Sequence, residues 1–427
     1  MNNINEIRSS YLCNGCGLCS VVCAAKAITM KYDNIGRLQP EINDNSCTNC
    51  GLCKRLCPSL DLKGIQLPND DDPYVGEVRQ VFIGRANDEI IYRGSQSGGL
   101  VTSILKYLFE SVKIDGAIVC KVDFGQELFP KAMLVTSVSD LFLCQKSSYV
   151  PVDMVSGINN AAELKSLAVV GIGCHIQGFY ALQNFKKEYK EKIKYTLGLI
   201  CDRTLCRTIT EVICNNTFKD KEKCLIWRDK SHGYKEARLL IRTRDGQEKV
   251  LPRWHRFVLK DPFTNPRCRI CFDKLNVHAD IVLGDPWGMN GVDWVNGESV
   301  VITRTETGNS IISDMIKSGI VSLRVAPLEE VIKGQIVPKR KETVSAALEV
   351  YEEMGWLKPS YGERLLFPHS NIDKANVKSL IESFVADSKR GKEEIVEKNL
   401  RYIRKLSIKH TLSKFLYPAR LLKRLFK

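Results

Sequence analysis

Eight cysteines in the first sixty residues stand at intervals that suit a metal–sulfur cage. Cys13, Cys16, Cys19 and Cys23 form one run, and Cys47, Cys50, Cys53 and Cys57 form another; both read C-x2-C-x2-C-x3-C. Six of the eleven aligned positions are identical, so the runs are an internal repeat and predict a module with pseudo-twofold symmetry. Three thiolates at intervals of three wrap three corners of an iron–sulfur cubane, while the fourth, a helical turn away, points at the other cube. The spacing therefore predicts one [4Fe–4S] cluster on Cys13, Cys16, Cys19 and Cys57 and a second on Cys47, Cys50, Cys53 and Cys23. Gly15, Gly17 and Gly51 let the loop backbone approach the sulfides and turn N–H groups toward them. Pro58 suits the turn after the fourth ligand, where the first run has Ala24. Zinc sites draw on two separated C-x2-C pairs and four ligands, which a doubled four-cysteine run fits poorly.

Three further features could do chemistry. The segment Tyr92-Arg93-Gly94-Ser95-Gln96-Ser97-Gly98-Gly99 precedes an apolar helical pattern. Ser95, Ser97, Gly98 and Gly99 there could offer N–H groups and a positive helix end to a phosphate, or Ser97 could simply be the N-cap. Cys174 and Cys201 each follow a buried strand pattern, and Cys268 and Cys271 form a C-x2-C just before another. Four thiolates converging at strand ends would hold a third cluster; the plain alternatives are small buried residues and a zinc pair. Gly284-Asp285-Pro286-Trp287-Gly288 reads as a tight turn carrying an exposed Trp and a carboxylate, at the border of a planar cofactor or as a turn alone. His175, next to Cys174, could tune a cluster or shuttle protons, or be a satisfied residue at a helix start. Cys120, Cys144, Cys206, Cys214 and Cys224 show no ligand spacing and read as core.

These residues need elements to hold them. Between the cysteine runs, residues 27–43 alternate around Asp33-Asn34 and Gly36 and read as a hairpin. Residues 60–77 form a polar stretch with two prolines and three successive aspartates. After it, strand patterns at 81–85, 116–122, 132–138, 167–172, 193–200, 281–284 and 299–304 alternate with helical patterns at 97–111, 161–165, 175–185 and 310–317. Three more strand-like segments between 224 and 251 suggest an antiparallel patch. The predicted class is α/β, α+β overall: a ferredoxin-like module over residues 1–62, a linker at 63–77, a mixed, mostly parallel sheet domain over 78–334, and a helical C-terminal region over 335–427.

Composition sets the context. The chain has 427 residues, 44% hydrophobic and 26% charged, without an apolar run long enough to span a bilayer. Its start lacks a secretory pattern, which points to the cytoplasm, where seventeen cysteines suit metal ligation better than disulfides. The formal charge of +14 is concentrated in residues 401–427, which hold nine cations and no acid; without them the charge is +5. Clusters of roughly −2 each would bring the body near neutrality, so no nucleic-acid partner is expected. The tail alternates its cations with Leu406, Leu412, Phe415, Leu416, Leu421, Leu422 and Phe426, divided by Pro418. That pattern predicts peripheral contact with an anionic membrane surface, the inner face of a cell membrane, or else a solvated terminal helix.

From Tyr92 to about Val325 the chain resembles the beta subunit of coenzyme F-420 hydrogenase/dehydrogenase. The resemblance lies in YRGSQSGGLVTSILKYLFESVKIDGAIV, QKSSYV, VVGIGCHIQG, LGLICD and CRICFDKLNVHADIVLGDPWG. It implies FAD, [4Fe–4S] clusters and electron exchange with a hydride carrier. It also implies a third cluster on Cys174, Cys201, Cys268 and Cys271, and flavin pyrophosphate at the Ser-Gly-Gly helix start. Two positions depart from the family pattern: Gly173 where a Pro is usual, and Asp202-Arg203 where His-Gly is usual. They put the deazaflavin in doubt as the native donor.

The leading expectation is an iron–sulfur flavoprotein oxidoreductase. It would exchange electrons between a hydride carrier or small-molecule substrate and a ferredoxin or other one-electron partner protein. An electron-transfer subunit without its own substrate, and a redox-sensing protein, are the competing readings. No general acid stands out; Asp285 is the only candidate.

Overall fold

The computed structural model describes residues 3–62, 72–122, 124, 130–255, 261–369 and 372–425, with side chains as far as 410. Most of the predicted linker, and the last two residues, lie outside them. So do the side chains of the apolar tail residues from Leu412 onward.

The sequence repeat is repeated in the backbone. Gly15 (φ 77°) and Asn49 (φ 52°) hold equivalent left-handed positions, as do Gly17 (φ 89°) and Gly51 (φ 73°). The second pair opens two short helices, α1 (Leu18–Val22) and α2 (Leu52–Arg55). Between them lies the expected hairpin, β1 (Ile28–Tyr32) paired antiparallel to β2 (Leu38–Ile42), with Ile28 opposite Ile42.

The body is built on an eight-stranded sheet. Its strands are β3 (Gln80–Ala86), β4 (Gly116–Val122), β5 (Pro130–Val135), β6 (Leu167–Ile172), β7 (Ile193–Leu199), β11 (Ile281–Gly284), β12 (Ser299–Thr303) and β13 (Val321–Val325). They lie in the order β13-β3-β12-β11-β7-β6-β4-β5. Only the centre, β4-β6-β7-β11, is parallel; the other four pairings are antiparallel. The sheet is mixed, as expected, but not mostly parallel: three of its seven pairings are parallel. Period-two patterns report burial, whereas direction is set by connections, and β11 turns back into β12 without a crossover helix.

Successive strand residues feed two cores. Ala168 and Val170 pack under α3 (Leu100–Glu110) on one face, while Leu167 and Val169 meet Ile176, Phe179 and Leu182 of α4 (Gly173–Phe185) on the other. The second core is continuous with Ile7, Leu12 and Leu18 of the cysteine module. Hydrogen bonds fasten the module to the body: Val155 N–H to Cys16 O (3.0 Å), Tyr32 O–H to Pro151 O (2.6 Å) and Ser360 N–H to Leu60 O (2.7 Å). Tyr74, at the far end of the predicted linker, is fully buried and donates to Leu365 O.

The antiparallel patch is a three-stranded sheet, β8 (Lys223–Asp229), β9 (Arg238–Thr243) and β10 (Glu248–Val250), packed on α5 (Arg207–Thr217). Residues 161–165, expected to be helical, are turn and coil after a 3-10 segment Met154–Asn160. The last helices are α7 (Val337–Glu353), α8 (Lys374–Ser388) and α9 (Lys392–Leu425), which follow α6 (Pro266–Arg269) in the chain. Pro418 does not divide α9; a proline forgoes one backbone bond, and the helix runs on. Ile395, Asn399 and Ile403, spaced by four, form the buried stripe of α9, which packs on α5. Among the described residues no helix is long and apolar enough to cross a membrane.

Candidate functional site

The first four thiols lie together inside the protein. Burial lifts the Cys13 thiol to about 12, with Cys57 adding to the rise. Burial likewise raises Cys16, on which Cys57 and Cys13 act, and Cys19, on which Cys13, Cys16 and Cys57 act. In the second set burial raises Cys53, which feels Cys23 and Cys50. Cys50 is exposed and is lowered, first by the Leu52 N–H and then by the Thr48 side chain. Cys47 is half-buried at the start of that loop. Backbone N–H groups converge on these sulfurs: Gly15 on Cys13, Leu18 on Cys16, Ser59 and Leu60 on Cys57, and Ala27 on Cys23 at 3.3 Å. Neighbouring buried thiols can ionise together only around a cation, and convergent donors suit the sulfurs of a cubane. The residues therefore fit the two clusters that their spacing predicts.

The strand-end cysteines also meet. The parallel centre of the sheet brings the ends of β6 and β7 to one edge, so Cys174, in the first turn of α4, faces Cys201, two residues past β7. Cys268 lies in α6 and Cys271 just beyond it. Cys174 is raised well above the usual thiol range by burial and then by Cys271, Cys201 and Cys268; Cys201 is raised by burial and then by Cys268 and Cys271. Thr204 N–H and hydroxyl both lie 3.5 Å from Cys268 Sγ. Arg340 donates to the carbonyls of Cys271 (2.8 Å) and Cys268 (2.7 Å), which fixes the C-x2-C loop. Four half-buried, converging thiols with a local donor suit the same kind of group. Cys16 adds to the rise at Cys174, so the two inner thiol sets are neighbours.

Beside this third set, at the carboxyl ends of β6, β7 and β11, opens a cavity of about 660 Å³, within the range of cofactor sites. Cys201 belongs to the thiol set and also lines the cavity. Six cations, Lys146, Arg203, Arg228, Lys235, Arg253 and Lys274, line it against two carboxylates, Asp202 and Asp285. That excess suits an anionic ligand.

The Ser-Gly-Gly turn forms part of the wall, with a changed role for its residues. Ser95, Ser97 and Gly99 line the cavity. Gly98 lies beneath, its N–H donating to Ser299 Oγ at 2.9 Å, and a Cβ there would meet Gly84 O at 2.6 Å. Ser97 is not the N-cap: its hydroxyl pairs with Ser299 Oγ (2.6 Å), and α3 starts at Leu100 after Gly99 (φ 78°) with no side-chain cap. The first turn of α3, Leu100 to Thr102, therefore presents uncapped N–H groups at the cavity wall. Lys230 braces the turn by donating to Tyr92 O (2.8 Å) and Ser97 O (3.0 Å). Burial, and then the charges of Lys146, Arg85 and Arg228, bring Lys230 down to about 8. His175 also lines the cavity; burial lowers it to about 4, so its imidazole is neutral at pH 7.

Asp285 is a partner and not a free acid. It accepts from the Arg228 guanidinium and from Tyr234 O–H (2.7 Å). Burial opposes the Arg228 charge, and Asp285, Tyr149 and Tyr234 outweigh that opposition. Arg228 also lies over the rings of Tyr234 (4.7 Å) and Trp287 (5.2 Å). Trp287, expected to be exposed, is half-buried, stacked on Tyr234 at 5.9 Å and Trp294 at 5.6 Å. The departing pair Asp202-Arg203 forms an ion pair at 2.8 Å on the cavity wall.

Sequence reasoning missed Lys146 as a cavity residue, and missed Arg228 and Lys230, whose positions depend on the β8 region folding back over the cavity. It also missed Arg267, buried between the inner thiol sets. Of the unpatterned cysteines, Cys206, Cys214 and Cys224 are core, while Cys120 and Cys144 are half-buried and line the cavity.

Comparison with known proteins gives three family matches. Residues 12–60 match a 4Fe-4S dicluster domain. Residues 81–159 match the N-terminal region, and residues 164–328 the C-terminal region, of the coenzyme F420 hydrogenase/dehydrogenase beta subunit. One subunit of the F(420)H(2) dehydrogenase of Methanosarcina mazei is 26% identical over 83% of this chain and 96% of its own length. A coenzyme F420-dependent sulfite reductase of Methanocaldococcus jannaschii is 28% identical over 72% of this chain, which spans 46% of that protein. A chain of the F420-reducing [NiFe] hydrogenase complex from Methanosarcina barkeri shares the fold, with a TM-score of 0.54 at 23% identity, over 68% of this chain and 99% of that one. The dicluster match supports iron–sulfur clusters at the amino end, and the two long matches together cover more than half of the chain, which belongs to the coenzyme F420 hydrogenase/dehydrogenase beta subunit family.

Proposed function

We propose that this protein is an iron–sulfur flavoprotein oxidoreductase in which the cavity holds FAD beside a third [4Fe–4S] cluster on Cys174, Cys201, Cys268 and Cys271. The observation that carries this reading is the double membership of Cys201, which belongs to the third thiol set and to the cavity wall. When bound, a flavin exchanges hydride with a two-electron carrier and single electrons with clusters.

The chain's own residues divide the work. The uncapped first turn of α3, with Lys146 across the cavity, would hold pyrophosphate, and Lys230 braces the Ser95–Gly99 turn beneath. Trp227, Arg228 and the half-buried Trp287 shape the wall for a planar group. Neutral His175 keeps the inner wall free of charge. The thiol sets then lie in series from Cys201 inward to Cys16 and outward to exposed Cys50, where a ferredoxin-type partner would dock. Relatives named as subunits support a protein partner. The tail beyond residue 410 would add peripheral contact with an anionic membrane.

Anoxic purification followed by iron, sulfide and flavin analysis tests the reading. About twelve irons and one FAD per chain are expected from three cubanes and one cavity. Cys174→Ser should lower iron to about eight while the N-terminal clusters persist. Eight irons in the unaltered protein would remove the third cluster. Absence of flavin would leave an electron-transfer subunit that feeds another enzyme.

A further inference from the structure

We propose that Arg267 is a cation shared by two iron–sulfur clusters, the one on Cys13, Cys16, Cys19 and Cys57 and the one on Cys174, Cys201, Cys268 and Cys271, and that it makes both easier to reduce. The inference rests on the third cluster proposed above.

Arg267 directly precedes Cys268, and its residue is 3% exposed. Its Nη2 donates to Tyr361 Oη at 2.9 Å, while Nε and Nη1 have no hydrogen-bond partner among the described residues. No carboxylate among those residues pairs with it. Tyr361 in turn donates to Pro58 O at 3.4 Å, next to Cys57. The Arg267 N–H is held by Asn265 Oδ1 (3.2 Å), whose Nδ2 reaches Cys13 O (3.4 Å). Both links lead to the N-terminal set, at Cys57 and Cys13, while the peptide bond to Cys268 joins Arg267 to the other set.

Neighbouring arginines are placed differently. Arg340 donates to the carbonyls of the C-x2-C loop, and Arg37 pairs with Asp33 at 2.8 Å, so each of those serves one set.

A buried, ionised guanidinium without an anion is strongly disfavoured, and an apolar side chain of similar shape would serve packing better. The missing anion has to come from what the thiols carry. A four-thiolate cubane holds roughly −2 when oxidised and roughly −3 after gaining one electron, with no proton moved and no bond broken. A fixed cation in a poorly screened interior stabilises the more negative state more. One cation between two cubes therefore raises both potentials together and leaves the difference between them nearly unchanged.

The test is redox potentiometry, followed by electron paramagnetic resonance, on the anoxic full-length protein. Arg267→Gln should shift the reduction equilibrium of both clusters at least tenfold toward the oxidised form, about 59 mV for a one-electron couple. Arg267→Lys, which keeps the charge, should restore most of both shifts. If the glutamine variant loses iron, Tyr361→Phe substitutes for it: freeing the guanidinium should lower both potentials by smaller amounts of the same sign. Unchanged potentials with full iron content, a shift in one cluster only, or equal shifts in the Gln and Lys variants would overturn the shared role. Eight irons in the unaltered protein would instead show that the third cluster is absent, and the sharing would fall with it.

Discussion

Gly178 lies against Cys16: a Cβ at Gly178 would stand 3.4 Å from Cys16 Sγ and 2.8 Å from Val155 Cγ2. Gly178 is one helical turn beyond Cys174 on α4, so the helix that starts with a thiol of the inner set rests on a thiol of the N-terminal set. Gly178→Ala forces Val155 or the helix aside. It should destabilise the protein by about 1–3 kcal/mol, as overpacking does. With cluster content unchanged, stopped-flow reduction of the N-terminal clusters by a two-electron donor should slow. An unaltered rate in a destabilised variant would show that this contact has no part in electron flow.

Asp285→Asn leaves the Arg228 guanidinium, whose side chain is 3% exposed, without its charge partner. Breaking such a pair from one side costs about 3 kcal/mol or more. Chemical denaturation should register that loss, and a second change, Arg228→Met, should recover much of it. A recovery no larger than either single effect allows would mean that the stacked rings, and not the ion pair, hold this wall.

Lys230, which braces the Ser95–Gly99 turn of the cavity wall, should give that turn a pH dependence. Its folded value of about 8 lies below the ordinary lysine value of 10.5. Between those values the unfolded chain binds more protons, so the ligand-free protein should gain stability as pH rises through that window. Anion binding runs the other way, because the lysine is charged only below about 8. The affinity of the flavin-free protein for FAD, followed by fluorescence quenching, should fall from pH 7 to pH 9. Lys230→Met should flatten that profile; a profile equally steep in the variant would assign the dependence elsewhere.

The two halves of α9 should separate in their effects. Ile403, 8% exposed, packs with Ile209 and Leu225, and Ile403→Ala should cost about 2–4 kcal/mol. Removal of residues 411–427 should leave the melting temperature unchanged and abolish sedimentation with anionic vesicles. Undiminished sedimentation would exclude the tail as a membrane contact.

Local chemistry is legible in the sequence wherever the spacing itself is the constraint. The doubled cysteine run, its positive-φ glycines and the hairpin between them all follow from residues within a few positions of each other. The strand-end cysteines read only as possibilities, because their meeting depends on β6, β7 and the C-x2-C loop sharing one sheet edge. What escapes depends on long-range return of the chain. Arg228 reaches Asp285 from 57 residues away, and Arg267 meets Tyr361 across 94 residues; neither leaves a periodic trace. Ser97 has the local pattern of a cap but not the role, because Ser299, brought in by β12, takes its hydroxyl.

Exposure falls steeply along the row of sulfurs, from open Cys50 to enclosed Cys16. The opening through which an electron can leave is also an opening for dioxygen. Air should therefore bleach the outermost cube first and the enclosed one, on Cys13, Cys16, Cys19 and Cys57, much later. Survival outside an anoxic habitat would then depend on whether a docked partner covers that one loop.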